Sequence, residues 1–339
     1  MARDAFKTLL HPFESGILPA PDAGARVLFL GAEAGFRLPE GFDCELSVVQ
    51  GFRPDFLALQ RSGCRIGPRP EGSDYAAALI LCGRHRGQNE LWIAEALERT
   101  AEGGLVVIAG AKEDGAPSLA KRIAGIIPLV EQSPKHHGLA IWFPAPVDRV
   151  AIAAGLRQAN RHAPVEGRFQ TAPGMFSHDH VDTGSKLLAD ALPAGLFGNA
   201  ADFCAGWGYL ATELAIRCPN VASVDLYEAD FDSLEAARLN IAGTRSVRTR
   251  FFWQDLLGEP VEARYDAIVM NPPFHQGRAA QPEIGRRLIG VAAAALKPRG
   301  TLYTVASRNL PYEGALAAAF SRYEQIAGDG AFKVYQARK

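Results

Sequence analysis

The sequence predicts an α/β protein built from two similar units in tandem, each a mainly parallel sheet flanked by helices. Three observations carry that expectation. Gly198-Asn-Ala-Ala-Asp202-Phe203-Cys204-Ala205-Gly206-Trp207-Gly208 reads as a strand entering a glycine-rich turn, with a helix from there to about Cys218. Further apolar runs of strand length follow at 221–227, 247–253 and 265–270. The first half then repeats parts of this pattern in eroded form.

In chain order, Val27-Leu-Phe-Leu-Gly-Ala-Glu-Ala-Gly35 is a strand and turn echoing residues 198–208. Tyr75-Ala-Ala-Ala-Leu-Ile-Leu-Cys-Gly-Arg-His-Arg-Gly87 aligns without a gap to Tyr265-Asp-Ala-Ile-Val-Met-Asn-Pro-Pro-Phe-His-Gln-Gly277, so both read as a strand and the turn at its end. Gly104-Leu-Val-Val-Ile-Ala-Gly110 parallels Gly300-Thr-Leu-Tyr-Thr-Val-Ala306, each after an alanine-rich helical stretch. Past Ile141-Trp-Phe143, residues 147–160 read as a helix and His162-Ala-Pro-Val-Glu-Gly-Arg168 as linker. The boundary falls between Pro144 and Pro173, which gives domains of 1–165 and 166–339.

The second unit carries the chemistry. Glycines at 206 and 208 let backbone pass close to a ligand, and the helix that follows offers free N–H groups, a cradle for a nucleotide or nucleoside. The run at 221–227 ends in Glu228-Ala229-Asp230, where an acid suits ribose hydroxyls. The run at 247–253 ends in Gln254-Asp255, where a carboxylate can meet an adenine amino group. Tyr265 to Met270 opens into Asn271-Pro272-Pro273-Phe274. An exocyclic amine or side-chain amide is a poor nucleophile because its lone pair is delocalised. The Asn271 side-chain oxygen and the Pro272 carbonyl offer two acceptors for its N–H bonds, two prolines stiffen the turn, and Phe274 offers a face for stacking.

Gly206-x-Gly208-x-x-Ala211 also satisfies the loose dinucleotide fingerprint, so an NAD-dependent dehydrogenase is the competing reading. Asp202, four residues before Gly206, and Asn-Pro-Pro-Phe at the fourth strand's end weigh toward S-adenosylmethionine.

Residues 166–339 resemble a class I methyltransferase of the small-domain type, and within it the bacterial ribosomal-RNA guanine-N2 methyltransferases. The resemblance rests on Pro173-Gly-Met-Phe-Ser-His-Asp-His-Val-Asp-Thr-Gly-Ser-Lys-Leu-Leu188, Asn271-Pro-Pro-Phe-His-Gln-Gly277, Leu310-Pro-Tyr-Glu313 and Phe332-Lys-Val-Tyr-Gln-Ala337. It implies tandem Rossmann-like domains, the first a degenerate copy, and methyl transfer from S-adenosylmethionine to a guanine N2 amine of rRNA, the small-subunit (16S) rRNA being favoured by Leu310 to Glu313. It implies donor binding by Asp202, Cys204, Ala205, Gly206 and Gly208, ribose binding by Glu228 and Ala229, adenine binding by Asp255, and catalysis at Asn271, Pro272, Pro273 and Phe274, with Asn271 also touching the donor. Cys204 departs from the pattern, standing where the family's first loop glycine would be.

The repeat shows what the first unit lacks. Phe29 replaces Asp202, Glu33 replaces Gly206, and Leu81-Cys82-Gly83-Arg84 replaces the Asn-Pro-Pro-Phe turn. That unit is left with RNA binding or support of its neighbour, for which Arg61, Arg65, Arg69, Arg84, His85 and Arg86 are the candidate phosphate contacts, with Arg245, Arg248 and Arg250 in the second unit. A solvated surface is the alternative reading of both sets. Neither unit is basic: 18 Lys+Arg face 18 Asp+Glu up to residue 165, and 18 face 19 beyond it. An RNA partner must then be held by a local patch and by shape.

His178-Asp179-His180-Val181-Asp182 mimics the start of a metallohydrolase site but lacks the remaining ligands, so no metal is expected. This segment is expected to pack over the methyl donor instead. The five cysteines form no Cys-x-x-Cys pair, and no apolar span approaches membrane length, which leads us to expect a cytoplasmic protein with reduced thiols and no membrane partner. Adenine N6 in nucleic acid and glutamine N5 in protein are the alternative substrates, and an assembly scaffold is the non-enzymatic alternative.

Overall fold

The computed structural model describes residues 4–129, 131–244, 247–273, 275–276, 279–280 and 282–339. Two compact units emerge: Met1–His162 with Ala172–Gly174, and Ala163–Thr171 with Met175–Lys339. Among the described residues no helix is long and apolar enough to cross a membrane.

The first unit contains strands β1 (Arg26–Leu30), β2 (Glu45–Val49), β3 (Ile66–Gly67), β4 (Tyr75–Leu81), β5 (Thr100–Ala111), β6 (Glu131–Lys135) and β7 (Gly138–Pro144). Its helices are α1 (Asp4–Glu14), α2 (Arg53–Arg61), α3 (Arg86–Arg99), α4 (Ala116–Ala124) and α5 (Arg149–Ala159). The second unit contains α6 (Thr183–Asp190), β8 (Phe197–Phe203), α7 (Tyr209–Arg217), β9 (Asn220–Glu228), α8 (Phe231–Ala242), β10 (Arg248–Trp253) and β11 (Tyr265–Met270). It continues with β12 (His275–Gln276), β13 (Ala279–Ala280), α9 (Pro282–Ala295), β14 (Leu296–Ser307), α10 (Glu313–Ala319), β15 (Arg322–Gly328) and β16 (Phe332–Arg338). The helix read over 147–160 is α5, with Asn160 as its C-cap.

Each unit is a seven-stranded sheet, in the orders β3-β2-β1-β4-β5-β7-β6 and β10-β9-β8-β11-β14-β16-β15. Both are therefore α/β sheets of one topology, five parallel strands followed by an antiparallel pair at the edge. That closing hairpin is absent from the sequence reading; β6 is exposed along most of its length and carries no apolar alternation to announce it. Central strands are buried on both faces, so Tyr265 to Met270 is almost wholly apolar.

The register of the two sheets ties the repeat together independently of sequence. Val27 pairs with Ala77 across β1 and β4, and Ala200 pairs with Ala267 across β8 and β11. Superposing these pairs puts Phe29 on Asp202 and Leu81 on Asn271, the correspondence the sequences suggest. Both sheets also carry one irregularity. Tyr75 pairs with Thr100 before Ala77 pairs with Leu105, just as Tyr265 pairs with Leu296 before Ala267 pairs with Thr301. Gly104 and Gly300 sit inside it, where an added Cβ would lie 2.9 Å from the Ala76 carbonyl and 3.0 Å from that of Tyr265. Only glycine lets the backbone close there.

The chain leaves β8 outward to β9 and β10, then returns to β11 on the other side. Phe203 and Met270 end up paired, so the loops after β8 and β11 open together where the strand order reverses. The core fills both sheet faces: Ala200, Leu226, Val269 and Tyr303 lie in one cluster, and Phe203, Ile268, Met270 and Leu302 in the other.

Candidate active site

Four strand ends, those of β8, β9, β10 and β11, and the starts of α6 and α7 build the site. After β8 the backbone turns through two left-handed residues, Cys204 at φ +61° and Gly206 at φ +54°, before Gly208 at φ +88° opens α7. Cys204 thus occupies a glycine conformation without being glycine, at a strain of about 1 kcal/mol; its counterpart Gly31 has φ +73°. Burial, with the nearby Glu228 and Asp202 carboxyls, pushes the Cys204 thiol well up, so it stays protonated. Gly208 is needed twice over, since a Cβ there would lie 2.9 Å from Ala237 Cβ on α8. Ala205 N donates to the Tyr227 carbonyl at 3.0 Å, which ties the turn to the end of β9.

Asp202 is fully buried on β8. Its Oδ2 accepts the Ala211 N–H of α7 at 2.8 Å, whereas Oδ1 has no partner. Burial raises its pKa well above the carboxylate range, and Glu228 adds to this. Glu228, the last residue of β9, accepts Gly206 N with Oε2 and Asp230 N with Oε1, both at 2.8 Å. Burial lifts its pKa to about 7 against those two donors. Asp230 then caps α8 by accepting Ser233 N at 2.8 Å.

Gly206 has open space around an added Cβ, and an orphaned carboxyl oxygen sits beneath the loop. Such a cradle fits a nucleoside whose far end carries positive charge. Asp255 follows β10, where Gln254 N donates to the Glu228 carbonyl at 3.0 Å. Its Oδ1 accepts Leu257 N at 2.9 Å, which holds the carboxylate in the turn after β10. The Ala229 carbonyl accepts the Trp253 indole N–H at 2.8 Å, fixing the turn between them.

Asn271 emerges from β11 partly buried, followed by buried Pro272 and exposed Pro273. Its Nδ2 donates to Asp182 Oδ1 at 2.9 Å and to Ser185 Oγ at 2.8 Å. Among the described residues none donates to Asn271 Oδ1 or to the Pro272 carbonyl, the two acceptors expected from the sequence. Phe274, expected to stack on the substrate, lies outside the described residues, as does Arg245. Sequence reasoning misses Asp182 and Ser185 as site residues. Asp182 enters it only as part of a metal-like run, yet an aspartate just before a helix is an N-cap signal, and its Oδ1 accepts Ser185 N at 2.8 Å. In the same run His180 Nδ1 lies 2.7 Å from Asp179 Oδ1 at the surface. Upstream, the Phe176 carbonyl accepts the Trp207 indole N–H at 2.8 Å, which fastens this segment to the glycine loop.

The first unit closes the same places. Gln50 stands where Glu228 does: its Oε1 accepts Phe52 N at 2.8 Å, but its Nε2 donates to the Ala32 carbonyl at 2.7 Å. Trp92 ring carbons lie 2.6 and 2.9 Å from a Cβ built on Gly31, so an indole fills the space beside the turn. Gly83 is tied at both its N–H and carbonyl to Asn89, at 3.0 and 2.8 Å. Of the candidate phosphate contacts, Arg84 pairs with Asp114 at 3.1 Å and Arg86 with Glu90 at 3.7 Å. Arg250 is held by buried Asp225 at 2.9 and 2.5 Å, while Arg61, Arg65, Arg69 and Arg248 are exposed.

Residues 166–336 match the family model described as the methyltransferase small domain. Among curated proteins, the "Ribosomal RNA small subunit methyltransferase C" of Chromohalobacter salexigens is 38% identical over 174 residues, 50% of this chain and 51% of that one. Its namesake in Idiomarina loihiensis is 29% identical over 281 residues, 81% of each chain. The alignments with the first curated relatives span about half of their length. A solved structure, the T. thermophilus 16S rRNA N2 methyltransferase RsmC with AdoMet and guanosine, shares the fold at a TM-score of 0.77 and 22% identity, covering 99% of this chain and 91% of that one. Because the family model takes in half of the chain and the ends of β8, β9, β10 and β11, the chain belongs to the methyltransferase small domain family.

Proposed function

We propose that this chain transfers a methyl group from S-adenosylmethionine to the exocyclic N2 amine of a guanine in ribosomal RNA, the RNA of the small subunit. The observation that carries the reading is the pair of acceptors, Asn271 Oδ1 and the Pro272 carbonyl, that have no donor among the described residues and follow β11 where it runs beside β8 and the Gly206 turn. The names of the curated relatives support the choice of RNA over protein, and of the small subunit.

In this reading Glu228 receives the ribose hydroxyls, Asp255 faces the adenine amine, and Asp202 Oδ1 faces the cationic methionine end above Cys204, Ala205 and Gly206. When bound, S-adenosylmethionine supplies an electrophilic methyl group on a positively charged sulfur. The protein's work lies on the amine. A guanine lifted from its stack presents N2 to Asn271 and Pro272, which accept its two N–H bonds and turn the lone pair toward the donor. As the nitrogen becomes cationic its N–H groups become stronger donors, so both acceptors bind the transition state better than the ground state. The methylated amine is then acidic enough to lose its proton to water. Phe274 is proposed to supply the stacking face.

The test is methyl transfer from labelled S-adenosylmethionine to separated small- and large-subunit rRNA, followed by nucleoside analysis. N2-methylguanosine in small-subunit RNA is expected; label in adenosine, in large-subunit RNA alone or in neither RNA would overturn the reading.

A further inference from the structure

We propose that Asp182 and Ser185 are positioning residues that lock the Asn271 amide with its oxygen toward the substrate amine; the inference rests on the methyl-transfer reading above. The terminal torsion of an asparagine is soft and roughly two-fold, and its two ends differ only in hydrogen-bonding sense. An unrestrained Asn271 would present its NH2 group to an amine that also donates, and the two would repel. Asp182 removes that choice. A carboxylate has no hydrogen to give, so the atom 2.9 Å from Asp182 Oδ1 must be the amide nitrogen. Ser185 Oγ takes up the second hydrogen at 2.8 Å. With both hydrogens committed, the planar amide sends Oδ1 the opposite way, where no described residue donates to it.

The lock is itself anchored. Asp182 Oδ1 caps α6 through Ser185 N, and Leu188 and Ala189 of that helix are fully buried in the core. Gly184 lies against Phe332 of β16, whose ring carbon would stand 3.0 Å from an added Cβ. The contact joins residues 89 and 86 positions apart in sequence. A second effect follows from charge. Negative charge on the NH2 side polarises the amide and makes its oxygen a stronger acceptor while the amine acquires positive charge.

The decisive variants are Ser185→Ala and Asp182→Ser, the second of which keeps an N-cap residue but cannot reach Asn271. Each is assayed in the full-length protein for kcat on small-subunit rRNA, for donor affinity and for thermal stability. The expected result is a kcat loss of about tenfold for Ser185→Ala and about 30–100-fold for Asp182→Ser, with donor affinity within about threefold. A merely structural role for Asp182 predicts that a folded Asp182→Ser keeps wild-type kcat and that any loss follows thermal stability. Values of kcat within about twofold of wild type for both variants would overturn the proposal. Hydrogen exchange of the Asn271 NH2 protons gives a readout independent of turnover: slowed in the wild type and released in Asp182→Ser if the lock exists, fast in both if it does not. A wild-type protein that methylates no RNA would refute the functional reading while leaving this exchange comparison to decide the lock.

Discussion

Glu228→Gln is the substitution whose outcome the structure specifies most closely. In the wild type both carboxylate oxygens accept backbone N–H groups, from Gly206 and Asp230. The variant keeps one acceptor for Asp230 and turns an NH2 group onto the Gly206 N–H, donor against donor. The first unit shows the arrangement a glutamine needs here, since Gln50 is satisfied by the Ala32 carbonyl that faces it. The lost charged acceptor is worth about 1.5–3 kcal/mol, or roughly 10–150-fold in donor affinity. The wild type adds a pH signature. Burial pushes its Glu228 carboxyl up to about 7, and on the proposed role ribose hydroxyls donate to the ionised form. Binding then releases a proton, so affinity rises as pH climbs through 7 and levels off above it, falling up to about tenfold per unit on the acid side. Titration calorimetry with S-adenosylhomocysteine, in buffers of different ionisation enthalpy, reads both effects. Affinity in Glu228→Gln within about threefold of wild type, or a flat wild-type profile from about pH 6 to 8, would refute the ribose role.

Asn271→Ala should lower kcat by about 10²–10³ while donor affinity stays within about threefold, measured by single-turnover methylation and calorimetry; a kcat within about fivefold would refute the acceptor role. Gly208→Ala forces a side chain into left-handed backbone and against Ala237, so denaturant unfolding should show a loss of about 2–4 kcal/mol. A loss under about 1 kcal/mol would mean that α7 and α8 separate freely. Arg250→Ala strips buried Asp225 of a two-pronged partner and leaves it the Tyr265 hydroxyl at 2.6 Å, so stability should drop by about 1–3 kcal/mol. Arg248→Ala should leave stability within about 0.5 kcal/mol, and a fall in RNA affinity there alone would assign the phosphate contact to Arg248.

Much of the fold can be read from residues because its signals are local. The strand-turn-helix from Gly198 to Cys218, the Glu228 and Asp255 strand ends and the Asn-Pro-Pro turn are each contiguous, and the register of β1, β4, β8 and β11 places them as the repeat does. The parts that escape depend on distance in the chain. Nothing near Asp182 tells that its carboxylate meets an amide at residue 271, and the same residue also belongs to a plausible metal-like run. Trp92 reads as one more apolar residue of a helix until its ring is found beside Gly31. Arg250 looks like a free cation until buried Asp225 appears at its tip, because Asp225 sits inside an apolar strand.

The irregularity shared by the two sheets has a further consequence. Five residues of β5 or β14 advance against two of β4 or β11 at the same step, with a glycine at the crowded point in both units. The same slip at matching positions, with a glycine at each, shows that the two units share this detail of the sheet as well as its strand order. The first unit carries Phe29, Gln50 and Leu81 where the second has Asp202, Glu228 and Asn271, which makes it a natural blank for the second: the same scaffold without the carboxylates and the asparagine.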